Sequence, residues 1–165
     1  MAALEQAVLT WAHLVSACVW VGGSIFIGAV LSPLLRRVAP TQEERMRLMI
    51  LVGRRFNYFA VPALAVLVGT GLYSSHALLA RPDLLAASSY GGYLALKVVL
   101  VAALVAAYGV HVWLVRGSVE ARVMSGAVAG AELARLRKRI IILGEATVVI
   151  SVAVLFLAAL LDAGA

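Results

Sequence analysis

The sequence predicts an all-α protein: an integral-membrane four-helix bundle with both termini on the outer side. Three observations predict it. Of 165 residues, 64% are hydrophobic and 13% charged, and the mean hydropathy is +1.02, more apolar than a water-soluble domain of this length tolerates. The apolar residues gather into four runs, about 7–31, 56–75, 93–115 and 140–161. Each is close to the roughly 20 residues that a helix needs to cross about 30 Å of hydrocarbon. The cations, finally, are shared unequally among the connections.

The first run must be helical, because lipid offers no partner for backbone amides. It does not read as a cleavable signal peptide. It lacks a basic start, is too long for the apolar part of one, and is followed by Pro33 and Arg36-Arg37 rather than a small-residue cleavage site. Pro33 is expected to end this helix. A basic connection follows, in which Pro40-Thr41-Gln42-Glu43-Glu44 reads as a helix start. Thr41 can cap, and Glu44 stands three residues on. That helix is expected to run through Arg54-Arg55 into the second run, where Pro62 is a point of possible kinking.

The next connection, about 76–92, carries Pro82 and the Gly91-Gly92 pair. The third and fourth runs are joined by GSVEARVMSGAVAGAELARLRKR, expected to extend both helices. Gly22, Gly23 and Gly28 in the first run, and Gly69 and Gly71 in the second, allow close backbone approach. The whole of 1–165 reads as a single domain.

Charge predicts the topology. Arg36, Arg37, Arg45, Arg47, Arg54 and Arg55 lie between runs one and two. Arg116, Arg122, Arg135, Arg137, Lys138 and Arg139 lie between runs three and four. The remaining cations are Arg81, opposed by Asp83, and Lys97 inside the third run. The positive-inside rule makes the two basic connections cytoplasmic, as in a multi-pass protein of a bacterial-type inner (cytoplasmic) membrane. The net charge of +6 is then a topogenic signal rather than a nucleic-acid surface. The partner it implies is the lipid bilayer, with affinity for anionic inner-leaflet lipid. A redox partner, other membrane subunits or a second copy of the chain stay open. Cys18 stands alone and forms no internal disulfide.

Ionisable groups within a span are costly and usually face the bundle interior, so the informative residues are few: His13, Lys97, His111 and Glu145, with His76 at a boundary. Counting about 1.5 Å per residue from the inner ends puts His13, His76 and Lys97 roughly 27, 31 and 28 Å up, and His111 and Glu145 roughly 8 and 9 Å up. The first three form an outer layer and the last two, with Asn57, an inner one. His13, Ser16, Trp20 and Ser24 share a side of the first helix. Lys97, Leu104, Tyr108 and His111 share a stripe of the third, and Thr70, Tyr73 and His76 a side of the second.

Bland roles compete at each position. Trp11 and Trp20 fit packing or interface aromatics, Lys97 can snorkel to headgroups, His76 suits a solvated helix end, and His111 and Glu145 can pair with each other. His13 is harder to absorb, since a ring inside lipid needs a partner, a ligand or water. Neutral imidazole binds copper, zinc and haem iron. His13 and His76 are the two histidines at similar depth that could take both axial positions of a haem b. Lys97 could attract a carboxylate, and Trp20 and Tyr108 could line a cofactor. His111 and Glu145 could carry protons. Sulfur, which copper(I) prefers, is sparse: Cys18 lies off the His13 face, and Met46, Met49 and Met124 sit in the inner connections, so the sequence shows no dedicated copper(I) channel built on methionine.

At these residues a family likeness enters. His13…Trp20-Val21-Gly22-Gly23 with VLSPLLRR, RRFNYFAVPALAVLVGTGLY, and SSYGGYLALKVVLVAAL around Lys97 resemble the CopD-type copper-resistance membrane domain over nearly the whole chain. The resemblance implies a bundle of membrane helices and a role in copper uptake or tolerance. A more distant likeness is to HemJ-type protoporphyrinogen oxidases. There a helix-one His followed by Trp, a helix-three Lys followed by His, and a Glu opening helix four correspond to His13, Lys97 and Glu145. His111 stands about a turn later than that pattern puts it. The likeness implies, as the alternative to copper binding or transport, a haem-dependent oxidase of porphyrinogen. A structural subunit of a larger membrane complex is the third reading.

Overall fold

The computed structural model describes residues 2–81, 83 and 88–164, and no strand occurs among them. Four helices are long and apolar enough to cross a membrane: Ala3–Val38, Gln42–Leu79, Ser89–Leu114 and Gly130–Asp162. The first span is built from α1 (Ala2–Ala17), α2 (Gly23–Ile25) and α3 (Ser32–Val38), joined by wider π-helical stretches at Cys18–Gly22 and Phe26–Leu31. The others are α4 (Gln42–Leu79), α5 (Ser89–Leu114) and α7 (Gly130–Asp162), with a short α6 (Gly117–Met124) before the last.

The boundaries depart from the sequence reading in three places. Pro33 does not end the first helix, which continues to Val38. The π-helical stretch ahead of it is the reason. The Ser32 amide bonds five residues back, to Ile27 O, and this widened turn takes up the ring and the missing amide of the proline. The helix stops instead at Ala39, whose extended backbone (φ −107°, ψ 109°) is what Pro40 demands of its predecessor. Gly91 and Gly92 lie inside the first turns of α5, capped by the Ser88 hydroxyl on the Gly91 amide. The connection between spans three and four is not a plain extension of both helices. From Gly130 it extends the fourth helix as expected, but 117–124 folds as the separate α6 rather than continuing α5, and the left-handed glycines Gly126 (φ 76°) and Gly130 (φ 54°) turn the chain into α7. Pro82 lies outside the described residues.

The start of α4 follows expectation. Thr41 Oγ1 accepts from the Glu44 amide at 3.1 Å, and the Glu44 carboxylate accepts from the Thr41 amide at 3.3 Å, a reciprocal capping box. The 38-residue α4 therefore spans both the basic connection and the second apolar run.

Two clusters hold the bundle. Near the basic end, Met46, Ile50, Val123, Val128 and Leu133 are buried together, with Met124 and Ile140 packed against them. In the middle, Trp20, Ala60, Leu64 and Leu104 are buried, with Phe56, Tyr108 and Ile150 around them. Helix α5 packs along α7, and α1 along α4. Gly23 is required where the first span meets the second: a Cβ there would collide with the Phe56 ring. The outward faces are apolar, and side chains such as Val149 and Phe156 are about two-thirds exposed (68% and 67%). Such a surface suits acyl chains rather than water.

Candidate functional site

Four spans meet at one level in the middle of the bundle. The Trp20 ring, 1% exposed, lies in the first π-helical stretch. Its Nε1–H donates to Ser151 Oγ on α7 at 2.9 Å, and Ser151 in turn donates to Thr147 O at 2.8 Å. The indole meets Tyr108 of α5 edge-on, with centroids 4.7 Å apart and planes at 81°. Tyr108 O–H donates to Asn57 Oδ1 on α4 at 2.7 Å. Each polar atom of the two rings thus has a partner, and the layer is a closed plug. The π-helical register beneath Trp20 aims the ring inward, a common use of such bulges.

One face higher stands His13. Its Nδ1 is 2.6 Å from Thr70 Oγ1 on α4, and that hydroxyl is also 2.6 Å from Val66 O. A hydroxyl has one proton. With it donated to Val66 O, Thr70 accepts from His13 Nδ1–H. This tautomer leaves the Nε2 lone pair without a hydrogen bond among the described residues. Gly71 lies beside the ring, where a Cβ would come to 3.9 Å of His13 Cε1. The outer site therefore contains His13, Thr70 and Gly71, from two spans.

His76 does not join them. It lies on α4 six residues beyond Thr70, about 9 Å along the axis. It is exposed, and its Nδ1–H donates to its own helix at Tyr73 O, 2.5 Å away. Tyr73 O–H reaches Glu5 of α1 at 3.5 Å. Two axial histidines of a haem would need to face each other at one level; His13 and His76 do not fit that arrangement.

In the lower half, His111 and Glu145 are not paired. His111 Nδ1 is buried with no hydrogen-bond partner, and its ring lies over Gly144, where a Cβ would be 3.9 Å from Cε1. Glu145, the next residue, is exposed on the outer surface of α7. No group of three or more His, Cys, Asp or Glu that could hold a metal ion occurs among the described residues.

Sequence reasoning missed Ser151 and Thr147. Their signal was present: two hydroxyls four residues apart in an otherwise apolar run, one face of α7. Asn57 was noticed for its depth, but not as the partner of Tyr108.

A family model described as CopD, copper resistance protein D, matches residues 50–161. The match covers most of α4 and all of α5 and α6, and extends through α7 to Leu161; it begins after the first span. No curated protein and no solved structure matches.

Proposed function

Because the chain belongs to the copper resistance protein D family, we propose that this multi-pass membrane protein carries copper through the cytoplasmic membrane, with both termini outside and His13 as the outer ligand. The observation that supports this reading is the His13–Thr70 pair. One ring nitrogen is held, so the other presents its lone pair in a fixed direction, the usual support of a metal-binding imidazole. Copper is the cargo here, not a resident cofactor.

The donor set favours brief holding. A single imidazole with a hydroxyl behind it is a poor cage. Conduction needs sites that bind enough to admit an ion and weakly enough to release it. Below lies the Trp20–Tyr108 plug, which must part for an ion to pass. Further down, His111 offers a free imidazole nitrogen, and Met46 and Met124 place thioether sulfur in one cluster at the basic end. The order of donors, nitrogen outside and sulfur inside, suits copper delivered as copper(I).

The test is copper accumulation in liposomes containing the purified protein. His13→Ala is expected to lower the initial rate by about tenfold or more while leaving the unfolding midpoint nearly unchanged, since loss of one metal-ligand support costs about 10–100-fold. Wild-type rates in His13→Ala would remove His13 from the path. A Soret band in the purified protein that His13→Ala abolishes would replace the copper reading with a haem one.

A further inference from the structure

At the basic end a hollow opens between α3, α4 and α7. Three arginines line it, Arg36, Arg45 and Arg137, one from each helix, and its apolar wall is made by Leu35, Met46, Met49, Ile140 and Ile141. No carboxylate lines it. Three acidic side chains at this end are engaged elsewhere: Glu44 caps α4, Glu120 bridges to Arg54 at 2.9 Å and Glu132 to Arg122 at 3.0 Å. Arg45 is held over the hollow by the carbonyls of Pro40 and Thr41, at 3.0 and 3.2 Å. Arg36 and Arg137 make no hydrogen bond or ion pair among the described residues.

We propose that this hollow is a binding site for the phosphate of an anionic membrane lipid, with the first methylenes of its acyl chain on Leu35, Ile140 and Ile141. The reasoning is one of charge and depth. Three arginines from three helices line one hollow with no carboxylate among its lining residues, and a phosphate drawn to them answers their charge with the charge-assisted, two-pronged bonds that arginine makes best. The apolar wall begins directly beside them, as it does for a headgroup at the boundary of the hydrocarbon. A free phosphate would use the arginines and leave the wall bare. The lipid would also tie three spans together at the end away from His13, with Met46 and Met49 lining the same hollow.

The experiment uses the full chain in nanodiscs of phosphatidylcholine containing a minor fraction of phosphatidylglycerol, followed by release into detergent and native mass spectrometry. Wild-type protein and Arg37→Gln, whose side chain is outside the hollow, are expected to retain phosphatidylglycerol. Arg137→Gln should retain roughly tenfold less, and Arg36→Gln with Arg137→Gln roughly a hundredfold less, at about tenfold per lost charge-assisted bond. If the double change unfolds the protein, Arg137→Gln alone carries the comparison. Equal loss in Arg37→Gln would overturn the site in favour of diffuse basic charge. Retention of phosphatidylcholine as strong as that of phosphatidylglycerol would overturn the role of the anion. If inorganic phosphate added to lipid-free micelles raises the unfolding midpoint as much as phosphatidylglycerol does, the ligand is free phosphate and the lipid assignment fails.

Discussion

The Trp20 layer and the His13 layer stand about 10 Å apart along one helix, and they treat polar atoms in opposite ways. In the Trp20 layer every polar atom of the two rings is answered: indole by Ser151, phenol by Asn57. In the His13 layer one ring nitrogen is answered by Thr70 and the other is left open. Both layers draw on residues from different spans, so both report the same packing. A satisfied network fixes a structure. A half-satisfied one inside lipid carries a cost, and its persistence marks the place where a ligand is expected. The difference teaches that burial alone does not distinguish the two layers; the unused lone pair does.

The largest expected effect breaks the closed layer. Trp20→Ala removes the most fully buried large ring and leaves a cavity that four spans must collapse upon, which costs about 3–5 kcal/mol. Ser151→Ala removes only the indole's partner. Hydrogen bonds between membrane helices average about 0.6 kcal/mol and reach about 1.7, so ring packing and not the hydrogen bond dominates this layer. Unfolding of both variants in detergent, followed by circular dichroism, checks the ranking. A Ser151→Ala loss as large as that of Trp20→Ala would invert it.

Gly23→Ala comes next, with about 1–3 kcal/mol expected from overpacking against Phe56. It acts where the first span meets the second, one turn from Trp20, so it should loosen the closed layer while leaving His13 and Thr70 in register. Unfolding midpoint and copper uptake measured on the same preparation separate the two. Stability should fall, and the uptake of the folded fraction should hold or rise as the plug weakens. An unchanged midpoint would mean that the Phe56 ring simply turns aside.

How much of this was legible in the sequence depended on the range of the signal. The four spans followed from hydropathy, because crossing a bilayer fixes length and composition locally. The capping box at Thr41 and Glu44 was legible for the same reason, being an exchange over three residues. Pro33 misled, since a π-helical register has no composition of its own and only the structure shows the widened turn that accommodates the ring. Depth counting brings His13, His76 and Lys97 to one level. It placed His76 only a few ångströms from His13, whereas the pairing of α1 with α4 sets His13 opposite Thr70 and leaves His76 about six residues further out. The count takes its origins at Leu31 and Arg55, and both helices run on past them, to Val38 and back to Gln42. His111 and Glu145 shared a depth, but depth gives no azimuth: Gly144 faces the imidazole, and its neighbour Glu145 is turned some 100° away, as consecutive helical residues are.

The smallest effect on stability is the sharpest test of the comparison. Thr70→Val keeps the shape of the side chain and removes the hydroxyl that holds His13. One interhelical hydrogen bond is lost, so stability should fall by only about 0.6 kcal/mol. Val66 O keeps its bond within α4, because its backbone partner is the Thr70 amide, which valine retains. The imidazole, though, is no longer fixed in the tautomer that presents Nε2. Loss of such a support lowers metal affinity by about 10–100-fold, so the concentration of copper giving half-maximal uptake should rise while the rate at saturation changes little. His13→Ala should raise that concentration further and also lower the rate at saturation. If Thr70→Val shifts neither quantity, the imidazole orients itself without help, and the contrast between an answered layer and an open one would carry no functional meaning.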